Sequence, residues 1–504
     1  MKTQVILNLA VGIFITFLFF GFLEIAAALA NKTILKKMFE GLDLRTKFEQ
    51  SYIPPFASKD PDKLRVFFFG GSSVQGLPLE KVGMSNQFDY QLHQVLWSKN
   101  LEIYNFGWSG NNSSVVRYLV NQTIKEKPDL LIVYTGGNEF IYPQLDSYLM
   151  INLLTKLRNR SEFIKLLLGL KEISKKSTPS FDEKIDKKRP AFRKQLIFYP
   201  LKMFLFRQNL RAIVKLAKEN NIHVIFCTIV SNIREWPPVS ADVTTYRQTE
   251  EYHLSISEVN DLIANKKWLE ADRLLDVANS RFPNFAPLLY LKAEVTSQSG
   301  QPQANSWFIK AKDFDLIPWR ASTGQNNFIR TLADENLIWV ADLEKEFFAN
   351  SPANLTGFQL VVDNVHPTKE GAFLIAKTII DLLKDKKFVK SSWWQTTQPY
   401  LTLEEFLKRV GYSAADDFGI YFSSAKYCLK NPFFNVDCAQ NYVEKAQMSS
   451  GPVWQTEALK ASIAFVKGQS ATASAYLQKA EVLKGGQLTA EEISQIPYLN
   501  QVMK

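Results

Sequence analysis

The chain has 504 residues, enough for two to four domains, and its 46% apolar and 13% aromatic content excludes a disordered or collagen-like polymer. Three cysteines and four histidines exclude a disulfide scaffold and a multi-cysteine zinc array; no His/Cys/carboxylate cluster suggests a metal, so no cofactor is expected. The net charge of +10 hints at an acidic partner, but residues 152–211 hold sixteen Lys/Arg against five Asp/Glu and so carry the whole excess.

At the N-terminus, residues 5–23 are apolar except for Asn8, Gly12, Thr16 and Gly21. At about 1.5 Å per residue such a helix reaches across a hydrocarbon core of roughly 30 Å, so residues 1–31 read as a membrane anchor. A cleaved signal peptide stays open as the other reading, because Ala28-Leu29-Ala30 looks like a cleavage site. Lys32, Lys36, Lys37, Arg45 and Lys47 follow the span, which by simple counting favours a cytoplasmic C-terminal part. Large domains translocate despite such charges, however. Cys428 and Cys438 are ten residues apart across Asn431-Pro432, a spacing that suits a disulfide between two antiparallel helices in an oxidising compartment. Two unpaired buried thiols are the alternative. On balance we expect a single-pass protein with its main body on the extracytoplasmic, periplasmic side.

Five buried strands are predicted at 65–69, 102–106, 129–135, 223–230 and 337–343, with helical stretches at 86–99, 113–127, 203–220 and 325–335 between them. Alternating elements with near-continuously apolar strands indicate a parallel α/β sheet. The first three strands run into small polar loops: Gly70-Gly71-Ser72-Ser73, Gly107-Trp108-Ser109-Gly110-Asn111-Asn112 and Gly136-Gly137-Asn138-Glu139. Ligands bind at the carboxyl ends of such strands, so these loops share one edge. Asp363-Asn364-Val365-His366-Pro367, after the fifth strand and before a helix at 370–384, is expected to reach the same edge.

This set is chemically coherent. Two glycines let the chain turn sharply and expose the Ser72 hydroxyl, whose proton His366 can take. Asp363, three residues earlier on the same turn, can hold the imidazole tautomer. The Ser72 and Gly110 amides and the Asn138 side chain supply three donors for a developing oxyanion.

These residues resemble the four blocks of the SGNH (GDSL-like) hydrolases over roughly residues 60–240 and 320–385, in the family's order. The resemblance implies a flavodoxin-like three-layer α/β fold and ester or acyl chemistry. It implies Ser72 as nucleophile, Asp363 and His366 as its partners, and Ser72, Gly110 and Asn138 as the oxyanion hole. The chain departs from the family at Gly71, where an acidic residue is usual, at Val74, where Ser or Thr is common, and at Glu139, where Asp usually follows the asparagine. Glu139, Trp319 and Arg320 are candidate substrate contacts. An acyl ester, an O-acetyl glycan ester included, is the expected substrate, with hydrolysis and acyl transfer both open; a catalytically inert, membrane-tethered repeat scaffold is the alternative from another class.

Alanines recur seven apart as Ala271/Ala278 and Ala304/Ala311, offset by 33, and as Ala439/Ala446 and Ala473/Ala480, offset by 34. The period looks like tetratricopeptide repeats, whose helical hairpins pack through small residues. The expected organisation is therefore 32–248 as the first part of the hydrolase domain, 249–318 as a helical insert, 319–390 as its second part and 391–504 as a helical C-terminal domain. The repeats either receive a protein partner or wall the cleft. The basic segment reads as a membrane-surface element or a mobile lid. Nucleic acid is not an expected partner, because no stacking motif accompanies the charge.

Overall fold

The computed structural model describes residues 19–25, 56–96, 101–140, 161, 163, 199–238, 250–301, 303–316, 318–389, 394, 400–430 and 434–503. Of the apolar N-terminal stretch only 19–25 falls within them, and it is helical; the basic segment lies outside them apart from 161, 163 and the residues from 199 onward. Among the described residues no helix is long and apolar enough to cross a membrane.

The sheet is built from β1 (Leu64–Gly70), β2 (Leu101–Gly107), β3 (Leu130–Tyr134), β4 (His223–Cys227) and β5 (Ile338–Ala341). All neighbours are parallel and the order is β2-β1-β3-β4-β5, the flavodoxin-like arrangement. Every residue of β1 and β3 is buried, as continuous apolar runs covered on both faces should be. Fully burying each of Phe67, Phe68 and Phe69 contributes roughly 1.5–3 kcal/mol.

The connections explain the layers. A four-residue α1 (Ser72–Gln75) follows β1, and α2 (Met84–Val95) leads to β2. Helices α3 (Ser113–Thr123) and α4 (Tyr199–Glu219) follow β2 and β3. The step from β1 to β2 runs opposite to all later steps. With right-handed crossovers, α2 therefore falls on one face of the sheet and α3 and α4 on the other.

Between β4 and β5 the chain forms α5 (Glu250–Ala264), α6 (Trp268–Arg281), α7 (Ala286–Gln298) and α8 (Ala304–Asp313), then α9 (Thr323–Arg330). After β5 come α10 (Leu343–Ala349) and α11 (Lys369–Asp385), the latter packed on α2. Two boundaries differ from the sequence expectation for local reasons. Ser322 and Gln325 form a capping box that starts α9 before residue 325, and Asp334 accepts three backbone N–H groups that turn the chain into β5. Asp342 caps α10, which ends β5 before residue 343.

Helices α5 to α8 pack each on the next, and Ala271, Ala278, Ala304 and Ala311 are all buried in them. The C-terminal region is likewise helical: α12 (Leu403–Arg409), α13 (Ala414–Cys428), α14 (Val436–Ser450), α15 (Trp454–Val466) and α16 (Ser470–Lys484). Ala439, Ala446, Ala473 and Ala480 are buried there. Cys428 ends α13 and Cys438 lies in the first turn of α14; their sulfurs are bonded, with Cα atoms 5.8 Å apart. Cys227 is a buried free thiol in β4.

Candidate active site

Ser72 is the first residue of α1, directly beyond the end of β1. Close backbone contacts hold this loop. The Gly71 carbonyl accepts from the Val74 and Gln75 N–H groups. A Cβ on Gly107 would overlap the Gln75 backbone nitrogen, so the end of β2 presses against the loop only because it is glycine. Asn105 fastens the loop further, donating to the Val74 carbonyl at 2.7 Å.

The histidine turn arrives from the other half of the chain. Val361 and Pro367 form an antiparallel bridge, and the Val362 N–H donates to the His366 carbonyl at 2.7 Å. The Asn232 N–H donates to the Asn364 carbonyl at 3.1 Å, tying the turn to the segment that leaves β4. On this turn the Asp363 Oδ1 accepts the N–H groups of Val365 and His366, at 2.9 and 2.8 Å. Its Oδ2 lies 2.6 Å from His366 Nδ1, and His366 Nε2 lies 2.7 Å from Ser72 Oγ. A hydroxyl, an imidazole and a carboxylate thus form one hydrogen-bonded chain although Ser72 and His366 are 294 residues apart.

Opposing influences act on both titrating groups. Burial lowers the His366 pKa, but the charge of Asp363 and its hydrogen bond outweigh this, and the net shift is upward from 6.5. Burial raises the Asp363 carboxyl, but His366 and the two backbone donors outweigh it and hold it below its ordinary range. The pair therefore favours an ionised carboxylate beside the ring.

Ser72 lines a small cavity of about 20 Å³ together with Gly71, Asn111, Gly136, Asn138 and Ile229. Asn138 donates one amide hydrogen to the Asn111 carbonyl at 2.9 Å, which orients the amide group and leaves its second hydrogen available. A Cβ at residue 71 would overlap the Asn138 nitrogen. This gives a physical reason for glycine at residue 71: the space beside the serine is taken by the amide. Gly110 adopts φ 86°, in the left-handed region, and its loop reaches the cavity through the neighbouring Asn111.

Three candidate substrate contacts stand elsewhere. Glu139 is buried, and its carboxylate accepts from the N–H and hydroxyl of Ser113, at 2.6 and 3.0 Å. It braces the start of α3 and does not face the cavity's ligand space. Arg320 is 4% exposed and donates to the carbonyls of Asn232 and Trp236 and to Asp315. It is the buried strut of the segment after β4, since an unpaired buried guanidinium would be costly. Trp319 is buried in a cluster with Trp236, Val362 and the C-terminal helices.

Sequence reasoning missed Asn111, whose carbonyl orients Asn138, and Tyr442. The Tyr442 hydroxyl on α14 donates to the Val362 carbonyl at 2.5 Å, and its ring lies 5.3 Å from Phe358. The C-terminal helices thereby prop the turn that carries Asp363 and His366. Helical spacing marks Tyr442 as a core residue and carries no signal of this partner.

No family model matches the chain, and no curated protein matches it. Among solved structures it is similar to a member of the lipolytic protein G-D-S-L family from Veillonella parvula, at 11% identity over 64% of this chain and 98% of that one, with a TM-score of 0.30. A GDSL-like lipase from Bacteroides thetaiotaomicron gives 12% identity over 66% and 92%, with a TM-score of 0.27. An acetylxylan esterase from Geobacillus stearothermophilus gives 12% identity over 65% and 96%, with a TM-score of 0.28.

Proposed function

We propose that the chain is a serine ester hydrolase of the SGNH type that removes short O-acyl groups, O-acetyl esters of an envelope glycan among them. The observation that carries this reading is the hydrogen-bonded chain from Ser72 through His366 to Asp363, at 2.7 and 2.6 Å. Ser72 Oγ attacks the ester carbonyl while its proton passes to His366 Nε2. Asp363 stabilises the imidazolium. The carbonyl oxygen takes up negative charge, met by the amides of Ser72 and Gly110 and by Asn138, each donor worth about 3 kcal/mol of barrier. The imidazolium then protonates the departing alcohol, and water cleaves the acyl-enzyme by the same steps in reverse order of roles. The small, glycine-lined and asparagine-lined cavity at Ser72 supports a short acyl group. The test is turnover of a p-nitrophenyl acyl series by the wild-type chain beside Ser72→Ala. Acetate and propionate should lead the series; equal rates for the two proteins would remove the proposal.

His366 must be neutral to accept the serine proton, and its pKa lies above 6.5. The activity kcat/KM should therefore fall as pH drops through that raised value, with the half-maximum on the alkaline side of 6.5. A profile flat down to pH 5 contradicts His366 as the base.

The same reading places the enzyme on the extracytoplasmic side of a membrane, tethered by residues 1–31. The apolar run supports the tether, and the Cys428–Cys438 bond suits an oxidising compartment. Protease added to spheroplasts, whose outer membrane has been opened, should then degrade the chain; full protection until the inner membrane is lysed would reverse the orientation.

A further inference from the structure

A second and larger cavity, about 230 Å³, lies behind the histidine turn. Its walls come from three sources. They are residues 76–79 beyond the serine helix, residues 367–370 at the start of α11, and the C-terminal helices α13 and α14 with Tyr412 before them. Ser73 lines both this cavity and the one at Ser72, and its hydroxyl donates to the Val365 carbonyl at 3.2 Å. The two spaces thus share a wall made of the serine loop.

Four charged side chains line it: Lys369, Lys445, Glu370 and Asp417. Three of them are engaged. Lys369 lies 2.6 Å from Asp417 and 3.9 Å from Glu370, and the Tyr412 hydroxyl also donates to Asp417, at 2.6 Å. Lys445 differs. Among the described residues no carboxylate approaches its ammonium within ion-pair distance, and its neighbours are the rings of Tyr442 at 5.3 Å and Tyr421 at 5.9 Å. Burial pulls its pKa below the usual value, with Glu235 and Glu370 acting the other way from farther off. Aromatic faces of this kind pack against the C–H faces of a sugar ring, and a half-buried ammonium without a carboxylate suits an acidic substituent on it.

We infer that this cavity binds an acidic sugar unit of the acylated glycan, with Lys445 as the partner of its carboxylate or phosphate and Tyr421 against its ring. The inference rests on the esterase reading and deepens it: the unit held here would be a neighbour of the one whose ester lies at Ser72.

Calorimetric titration of the full chain tests it with three probes: a galacturonate trisaccharide, glucose 6-phosphate and neutral maltotriose. At least one acidic probe should bind ten-fold or more tightly than maltotriose, and the one that does identifies the anion as carboxylate or phosphate. Lys445→Met should cut that affinity about ten-fold, and Lys445→Arg should retain most of it; Lys445→Gln replaces the methionine variant if melting shows misfolding. Equal affinity for acidic and neutral probes, no binding of any probe, or unchanged affinity in the folded neutral variant overturns the site. Titration requires no turnover. An absent esterase activity therefore leaves this result readable, and absent binding leaves the reading of Ser72 intact.

Discussion

Ser72→Ala should lower kcat on p-nitrophenyl acetate by about 10⁶-fold while the protein stays folded. The size follows from the role. In a nucleophile–base unit, loss of the nucleophile costs about as much as loss of the whole set. What remains is the smaller acceleration that positioned oxyanion donors give to direct attack by water. The Ser72 hydroxyl makes its hydrogen bond to His366 Nε2, so the substitution removes one partly buried bond, worth about 1 kcal/mol. In a chain of this length the melting temperature should move by only about 1 °C. A fluorophosphonate should label the wild-type chain at Ser72 and leave the variant unlabelled. A variant as active as the wild type, or labelling at a different residue, would transfer the chemistry away from this loop.

Asp363→Asn should cost about 10⁴-fold in kcat, although it changes the shape of the site by almost nothing. The reason lies in the hydrogen bonds that fix the carboxylate. Oδ1 accepts two backbone N–H groups, from Val365 and His366, so that position must remain an acceptor. The asparagine oxygen would therefore sit there, and the amide NH₂ would occupy the Oδ2 position against His366 Nδ1. A donor facing Nδ1 forces that nitrogen to be the acceptor. The ring proton then moves to Nε2, the atom that has to receive the serine proton. The variant should fold, bind ester and fail in proton transfer. KM should change far less than kcat, and ¹⁵N NMR of the ring should show the Nε2–H tautomer. If the ring stays Nδ1-protonated and turnover is kept, the carboxylate is structural.

Much of the framework was legible in the sequence because its signals are local. Apolar runs such as Val66-Phe67-Phe68-Phe69 are long enough to read as strands buried on both faces, and a parallel sheet aligns their carboxyl ends. That rule brings the loops of Ser72, Asn138 and His366 to one edge before any coordinate is known. The alanine period marks close helix packing, and those alanines are buried. The failures share a different character. Glu139 follows Asn138 directly, yet its carboxylate turns to Ser113, 26 residues away. Arg320 meets carbonyls 84 and 88 residues distant and is consumed by them.

Sequence alone thus determined the parallel strands and the edge of the sheet at which the loops of Ser72, Asn138 and His366 stand, because strand period and strand direction depend on near neighbours. Tertiary structure alone decided which polar groups are already partnered, how the Asn138 amide fits beside Gly71, and that Tyr442 of a remote helix supports the histidine turn. Burial makes each polar atom find a partner, and the partner is chosen by packing between segments whose separation along the chain leaves no local trace.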